Sequence, residues 1–96
     1  MALFIEQNKS TYHLTGSFHA SQAQEVRTYF LHVLKDKRQV HICLEKLEDI
    51  DLASVIMLRN IRNSAQDRGC QISIQLGNNG RILGPFRQLN EPLLVA

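Results

Sequence analysis

The residues of this chain that could do chemistry are four histidines, two cysteines, and a few serines and carboxylates, and their spacing decides which chemistry is open. His13, His19, His32 and His41 show no metal-ligand spacing, and neither an HExxH pair nor a CxxC accompanies them. No metal site is expected. Cys43 follows His41 by two residues, but an i, i+2 pair on a strand shares a face because of the pleat alone. No GxSxG elbow supplies a nucleophile, so the sequence predicts no catalytic residue, no cofactor and no enzyme. GNNGR, 77–81, sets glycines beside an expected helix start, where backbone N–H groups can hold a phosphate. It lacks the Lys-Ser/Thr of a P-loop and reads as a turn. What remains is the junction EDIDLASVIML, 48–58. Asp51 is placed to cap a helix, and Ser54 falls in the first turn of that helix. A phosphate on Ser54 would meet free N–H groups and the positive end of the helix dipole, opposed by the like charge of Asp51.

The elements that must position this junction follow from hydrophobic periodicity. ALFIE, 2–6, and TYHLT, 11–15, read as short strands joined by a polar turn at 7–10, with Gly16 ending the second. From Ala20 to Leu34 the period becomes helical, with Ala23, Val26, Phe30, Val33 and Leu34 on one side, and Ser17 or Ser21 as the expected cap. VHICL, 40–44, is a strand with Val40, Ile42 and Leu44 on one face; residues 45–50 read as an acidic linker. A second helix starts at Asp51, carries Leu52, Val55, Ile56, Leu58, Ile61 and Ala65, and stops at Gly69. QISIQL, 71–76, alternates cleanly and keeps a polar face, so helices cover mainly one side of the sheet. Long crossovers between the later strands require parallel pairing there. RILGPFRQL, 81–89, predicts a short third helix broken at Gly84-Pro85, and 93–95 a final edge strand or packed tail. The expected fold class is α/β: one domain over 1–96, a small mixed β-sheet with helices mainly on one face.

Composition narrows the function. With 44% hydrophobic and 21% charged residues, 96 residues can build one modest core. A net charge of +2, spread along the chain, gives no case for nucleic acid, and the six aromatics do not interleave with basic residues. The densest basic run, Lys35-Asp36-Lys37-Arg38, lies at an expected helix end, where it complements the dipole. MALFIEQNKS has a four-residue apolar run before Glu6 and reads as neither signal peptide nor membrane span. No membrane insertion is expected, and reduced thiols in a cytoplasmic protein account for Cys43 and Cys70.

The order of these segments resembles the STAS domain family, the anti-sigma factor antagonists and their relatives. The resemblance is carried by YHLTGSFHASQAQEV at 12–26, VHICLEKLEDIDLASVIML at 40–58 and GCQISIQLGNNGRILGPF at 69–86. The family motif that opens the second helix is often Asp-Ser-Ser-Gly-Leu. In classical members its second serine is phosphorylated by a partner kinase that is also the anti-sigma factor, and the unphosphorylated domain captures that kinase. Carried onto this chain, Asp51 matches the motif Asp, Leu52 falls on the first Ser, Ala53 on the phosphorylated Ser, and Ser54 on the Gly. Cys43 stands where many members end the strand with Asp. Ala53 has no hydroxyl, and Ser54 could serve only through a shift of one residue, which turns a helical side chain by about 100°.

The resemblance thus implies a non-enzymatic protein-interaction module of a bacterial regulatory system. Its expected contacts are Ser17, Phe18, His19, Asp51, Leu52, Ala53, Ser54 and Val55, with Leu52 either an exposed anchor or packed inward. The expected partner is an anti-sigma kinase-like protein or another regulatory or transport component. The alternatives are an accessory STAS subunit of a transport or biofilm-control assembly, or a small-molecule or nucleotide-binding domain using the turns at 16–19 and 77–80.

Overall fold

The computed structural model describes residues 2–88 and 94–95 of the chain. Strands β1 (Leu3–Asn8) and β2 (Thr11–Phe18) form an antiparallel hairpin in which Leu3 faces Gly16 and Asn8 faces Thr11. The polar turn is tighter than the expected four residues: only Lys9 and Ser10 lie between the strands, and Lys9 takes a left-handed conformation at φ 58°. Nor does Gly16 end β2. It sits inside the strand at φ 96°, where a Cβ would meet the Ala2 carbonyl oxygen at 1.9 Å, so glycine is the residue this crossing admits.

That glycine marks a change of partner. Below it, β2 pairs in parallel with β3 (Gln39–Cys43); above it, with β4 (Leu47–Ile50), and the register shifts between Gly16 and Ser17. Residues 47–50, expected within an acidic linker, are therefore a strand. Leu47 and Ile50 are buried while Glu48 and Asp49 face solvent. The turn between β3 and β4 is pinned from a distance: the Asn79 side-chain amide donates to the carbonyls of Leu44, at 2.8 Å, and Leu47, at 2.7 Å.

Helix α1 (Ala20–Val33) links β2 to β3, and α2 (Leu52–Asp67) links β4 to β5 (Gln71–Gln75), which pairs in parallel with β3. After β5 a 3-10 turn at Gly80–Ile82 runs directly into α3 (Leu83–Gln88). Gly84-Pro85 does not break α3, because Pro85 lies in its first turn, where backbone N–H groups have no intrahelical acceptor to lose. Leu89, the last residue expected in that helix, and Leu93 lie outside the described residues. β6 (Leu94–Val95) pairs in parallel with β5, completing a mixed sheet of order β1-β2-β3-β5-β6 with β4 beside β2.

The core lies on the helix side of the sheet. Tyr12, Leu14, Val40, Ile42, Ile72 and Ile74 point into it from the strands, and Val26, Phe30, Val55, Leu58 and Ile61 from the helices. Phe30 meets Tyr12 edge-on with ring centroids 5.5 Å apart, a contact worth about 1 kcal/mol beyond its buried area. On the other face stand the alternating polar residues His13, Thr15, His41 and Ser73, half-buried and uncovered by any helix among the described residues.

Candidate functional site

Asp51 follows the last residue of β4 and precedes the first of α2. Its backbone N–H completes the ladder by donating to Phe18 O at 3.2 Å, which sets the carboxylate beside the start of α1 as well as its own helix. One oxygen, Oδ1, accepts the Ser54 N–H at 2.9 Å, capping α2; the other, Oδ2, accepts the Ala20 N–H at 2.8 Å. A single carboxylate therefore joins two helix N-termini, each of which leaves N–H groups unpaired and carries partial positive charge. Partial burial acts to raise the Asp51 pKa, but the bonds from Ser54 and Ala20 and the nearby His19 outweigh it. The carboxyl lies below its ordinary value and stays ionised.

The α1 start has its own lock. Gln22 accepts the His19 N–H at 2.8 Å through its side-chain oxygen, while His19 Nε2 lies 2.6 Å from Asp49 Oδ2. Neither Ser17 nor Ser21 caps this helix; His19 is its N-cap residue, and the Asp51 carboxylate takes up the Ala20 N–H. Both partners of the His19–Asp49 pair are about half exposed, at 44% and 59%, so the pair orients the surface more than it stabilises the fold.

The expected contact residues separate into two groups. Phe18 and Val55 are wholly buried and belong to the core; Ser17, outside that core, is nearly as buried. Phe18 is the last inward residue of β2, and Val55 stands on the α2 stripe that packs on the sheet. Ser54 is also wholly buried, and its Oγ makes no hydrogen bond, although the hydroxyl lies near enough to Asp51 to help hold its charge. Ala53 is exposed, and Leu52 is half-buried, so it neither stands free nor joins the core. The surface at this corner is thus Leu52 and Ala53, bordered by His19, Asp49 and Asp51. Asp49 and the positioning residue Gln22 were not legible as parts of it: Asp49 sat in the expected linker, and Gln22 makes its contact only once α1 begins at Ala20.

The other sequence candidates are occupied in the fold. Asn79 of the glycine-rich turn spends its amide on β3–β4 and its Oδ1 on the Arg81 N–H at 3.2 Å. His41 Nδ1 pairs with Ser73 Oγ at 2.5 Å across β3 and β5. Cys43 and Cys70 are buried free thiols. Among the described residues no group of three or more His, Cys, Asp or Glu side chains could hold a metal ion, and no helix is long and apolar enough to cross a membrane.

Comparison with known proteins adds to this geometry. The model of the STAS domain family matches residues 3–89. Among solved structures, the chain is similar to the anti-sigma factor antagonist SpoIIAA in its unphosphorylated form. The TM-score is 0.75 and the identity 11%, over 98% of this chain and 86% of that one. It is also similar to an anti-sigma factor antagonist from Mycobacterium paratuberculosis, with TM-score 0.63 and 13% identity over 97% and 83% of the two chains. A structure described as Mglu aligns with TM-score 0.64 and 20% identity over 82% of this chain, but only 20% of that one. At these identities the likeness is one of fold. No curated protein sequence matches the chain.

Proposed function

The chain belongs to the STAS domain family, and from that membership we propose that it is a non-enzymatic protein-interaction module of a bacterial regulatory system, docking a partner protein through the start of α2. The observation that carries this reading is the pairing of an exposed Ala53 with a fully buried Ser54. The position that faces outward in the first turn has no hydroxyl, and the neighbouring hydroxyl is enclosed in the core. A kinase would have to unwind the first turn of α2 to reach Ser54. The module therefore stays in one binding state, and its regulation lies with the abundance or state of its partner.

The chemistry of the corner fits such a role. Leu52 and Ala53 offer a small apolar area, and Asp51 holds both helix starts in fixed relation, so little ordering is needed on binding. The carboxylates of Asp49 and Asp51 beside it favour a partner with basic residues at the rim of an apolar contact. The reading is tested by recovering the protein with its partner from its native cells and measuring its intact mass. A single unmodified mass is expected; a phosphorylated mass mapping to Ser54 overturns the reading. In a binding assay with the recovered partner, Leu52→Asp abolishes association while leaving the circular dichroism spectrum unchanged. Retained binding by a folded Leu52→Asp protein moves the contact elsewhere.

A further inference from the structure

Two exposed large hydrophobic side chains, Phe4 at 64% and Tyr29 at 37%, stand on the two sides of one strand edge. β1 pairs with β2 alone, so its outer row of backbone groups has no strand partner among the described residues. Phe4 projects from β1 on the polar face of the sheet, opposite Thr15. On the helix face, Tyr29 borders a groove of about 340 Å³ with Leu3 and Ile5 of β1 and Val26 of α1. The edge also lacks the usual protections. LFIEQN has no proline and no lysine, and Glu6 is its one charge.

We propose that this edge is a weak homodimer interface, in which β1 of two copies pairs antiparallel about a two-fold axis at Phe4. The register follows from side-chain matching, since directly opposed residues share a face. Centred on Phe4, the pairing sets Phe4 against Phe4 and Leu3 against Ile5, and it leaves Glu6 opposite Ala2. Centred on Ile5, it would set Phe4 against Glu6 and Leu3 against Gln7. Centred on Glu6, it would oppose two carboxylates. Only the first matches apolar residues throughout its middle and avoids like charge, and it is isologous, as a closed dimer requires.

The area sets the strength. Six residues of strand span about 20 Å, and with the flanking Phe4 and Tyr29 such a ribbon covers roughly 500 Å² per copy, short of the ~800 Å² of a standard interface. The dimer is accordingly a weak one. The inference uses no residue of the α2 corner and stands apart from the proposed function.

Sedimentation equilibrium of the full chain, carried up to the high concentrations at which a weak, small interface fills, tests it. The apparent mass is expected to rise from 11.0 kDa toward twice that value. Phe4→Lys, at an exposed position, is expected to stay monomeric throughout with an unchanged circular dichroism spectrum. Register is read separately by mild oxidation. Opposed Cα atoms lie about 4.5–5.5 Å apart, within disulfide reach, so Phe4→Cys cross-links and Glu6→Cys does not; the native thiols are buried. A wild-type protein that remains at 11.0 kDa overturns the proposal, as does association undiminished by Phe4→Lys. Equal cross-linking at positions 4 and 6 overturns the register.

Discussion

Replacing Asp51 separates the two bonds that its carboxylate makes. Asp51→Ala removes both: the cap on α2, worth about 1 kcal/mol, and the acceptor for the Ala20 N–H, a charge-assisted bond on a partly exposed group worth about another 1 kcal/mol. The expected loss is about 2 kcal/mol, which in a domain of this size lowers the melting temperature by roughly 10 °C. Asp51→Asn keeps one acceptor oxygen, so one bond survives, while its amide N–H₂ confronts the donor of the other. Its expected loss is about 1 kcal/mol, or roughly 5 °C. Thermal unfolding followed by circular dichroism at pH 7 measures both.

The same experiment has a pH dependence of fixed sign. The folded-state pKa of Asp51 is depressed, so its contribution is complete above the unfolded value of about 4. It is lost as pH falls through the lower folded value. The gap between wild type and Asp51→Ala therefore holds from pH 7 to 5 and closes below about pH 4. Equal losses for the alanine and asparagine variants at pH 7 would refute the double role, leaving the Ala20 bond without energetic weight.

Ser54→Ala removes a buried hydroxyl that makes no hydrogen bond but lies near the Asp51 carboxylate, so stability should change by less than about 1 kcal/mol in either direction by chemical denaturation; a larger loss would mean that Ser54 Oγ is bonded in the folded protein. Gly16→Ala drives a methyl into the Ala2 carbonyl at a positive φ and should cost about 2 kcal/mol or more in the same assay. Asn79→Ala frees two carbonyls at the β3–β4 turn and should cost about 2 kcal/mol, with faster hydrogen exchange in residues 47–50 than in β3. Exchange that speeds equally in both strands would show that the pin is not local.

What could be read in advance was set by range. The α2 cap was legible because Asp51 and the first turn it serves are neighbours in sequence. Its second bond, to Ala20, spans thirty-one residues and leaves no local trace. β4 was missed for a similar reason: LEDI buries only its two ends, and its pairing depends on a glycine in β2 and an asparagine beyond β5. The family correspondence located the corner but not the side chains that face out of it. Those follow from the phase of α2, where Ser54, Leu58, Ile61 and Ala65 lie on one stripe at helical spacing and are all buried. Ala53, about 100° away and at the open end of the helix, is exposed. Phe18 is buried for the matching reason on a strand, where every second residue points inward.

The Asn79 pin also imposes an order on how the molecule is assembled. β1, β2, β3 and their crossover are all contained in the first 43 residues. β4 is made next, but the turn that launches it is not tied down until residue 79 arrives, after α2 and β5. Since Asp49 and Asp51 ride at the end of β4, the corner where α2 begins is fully tied down only when four-fifths of the chain has been synthesised. An incomplete chain would carry most of the sheet beside an unsettled start of α2.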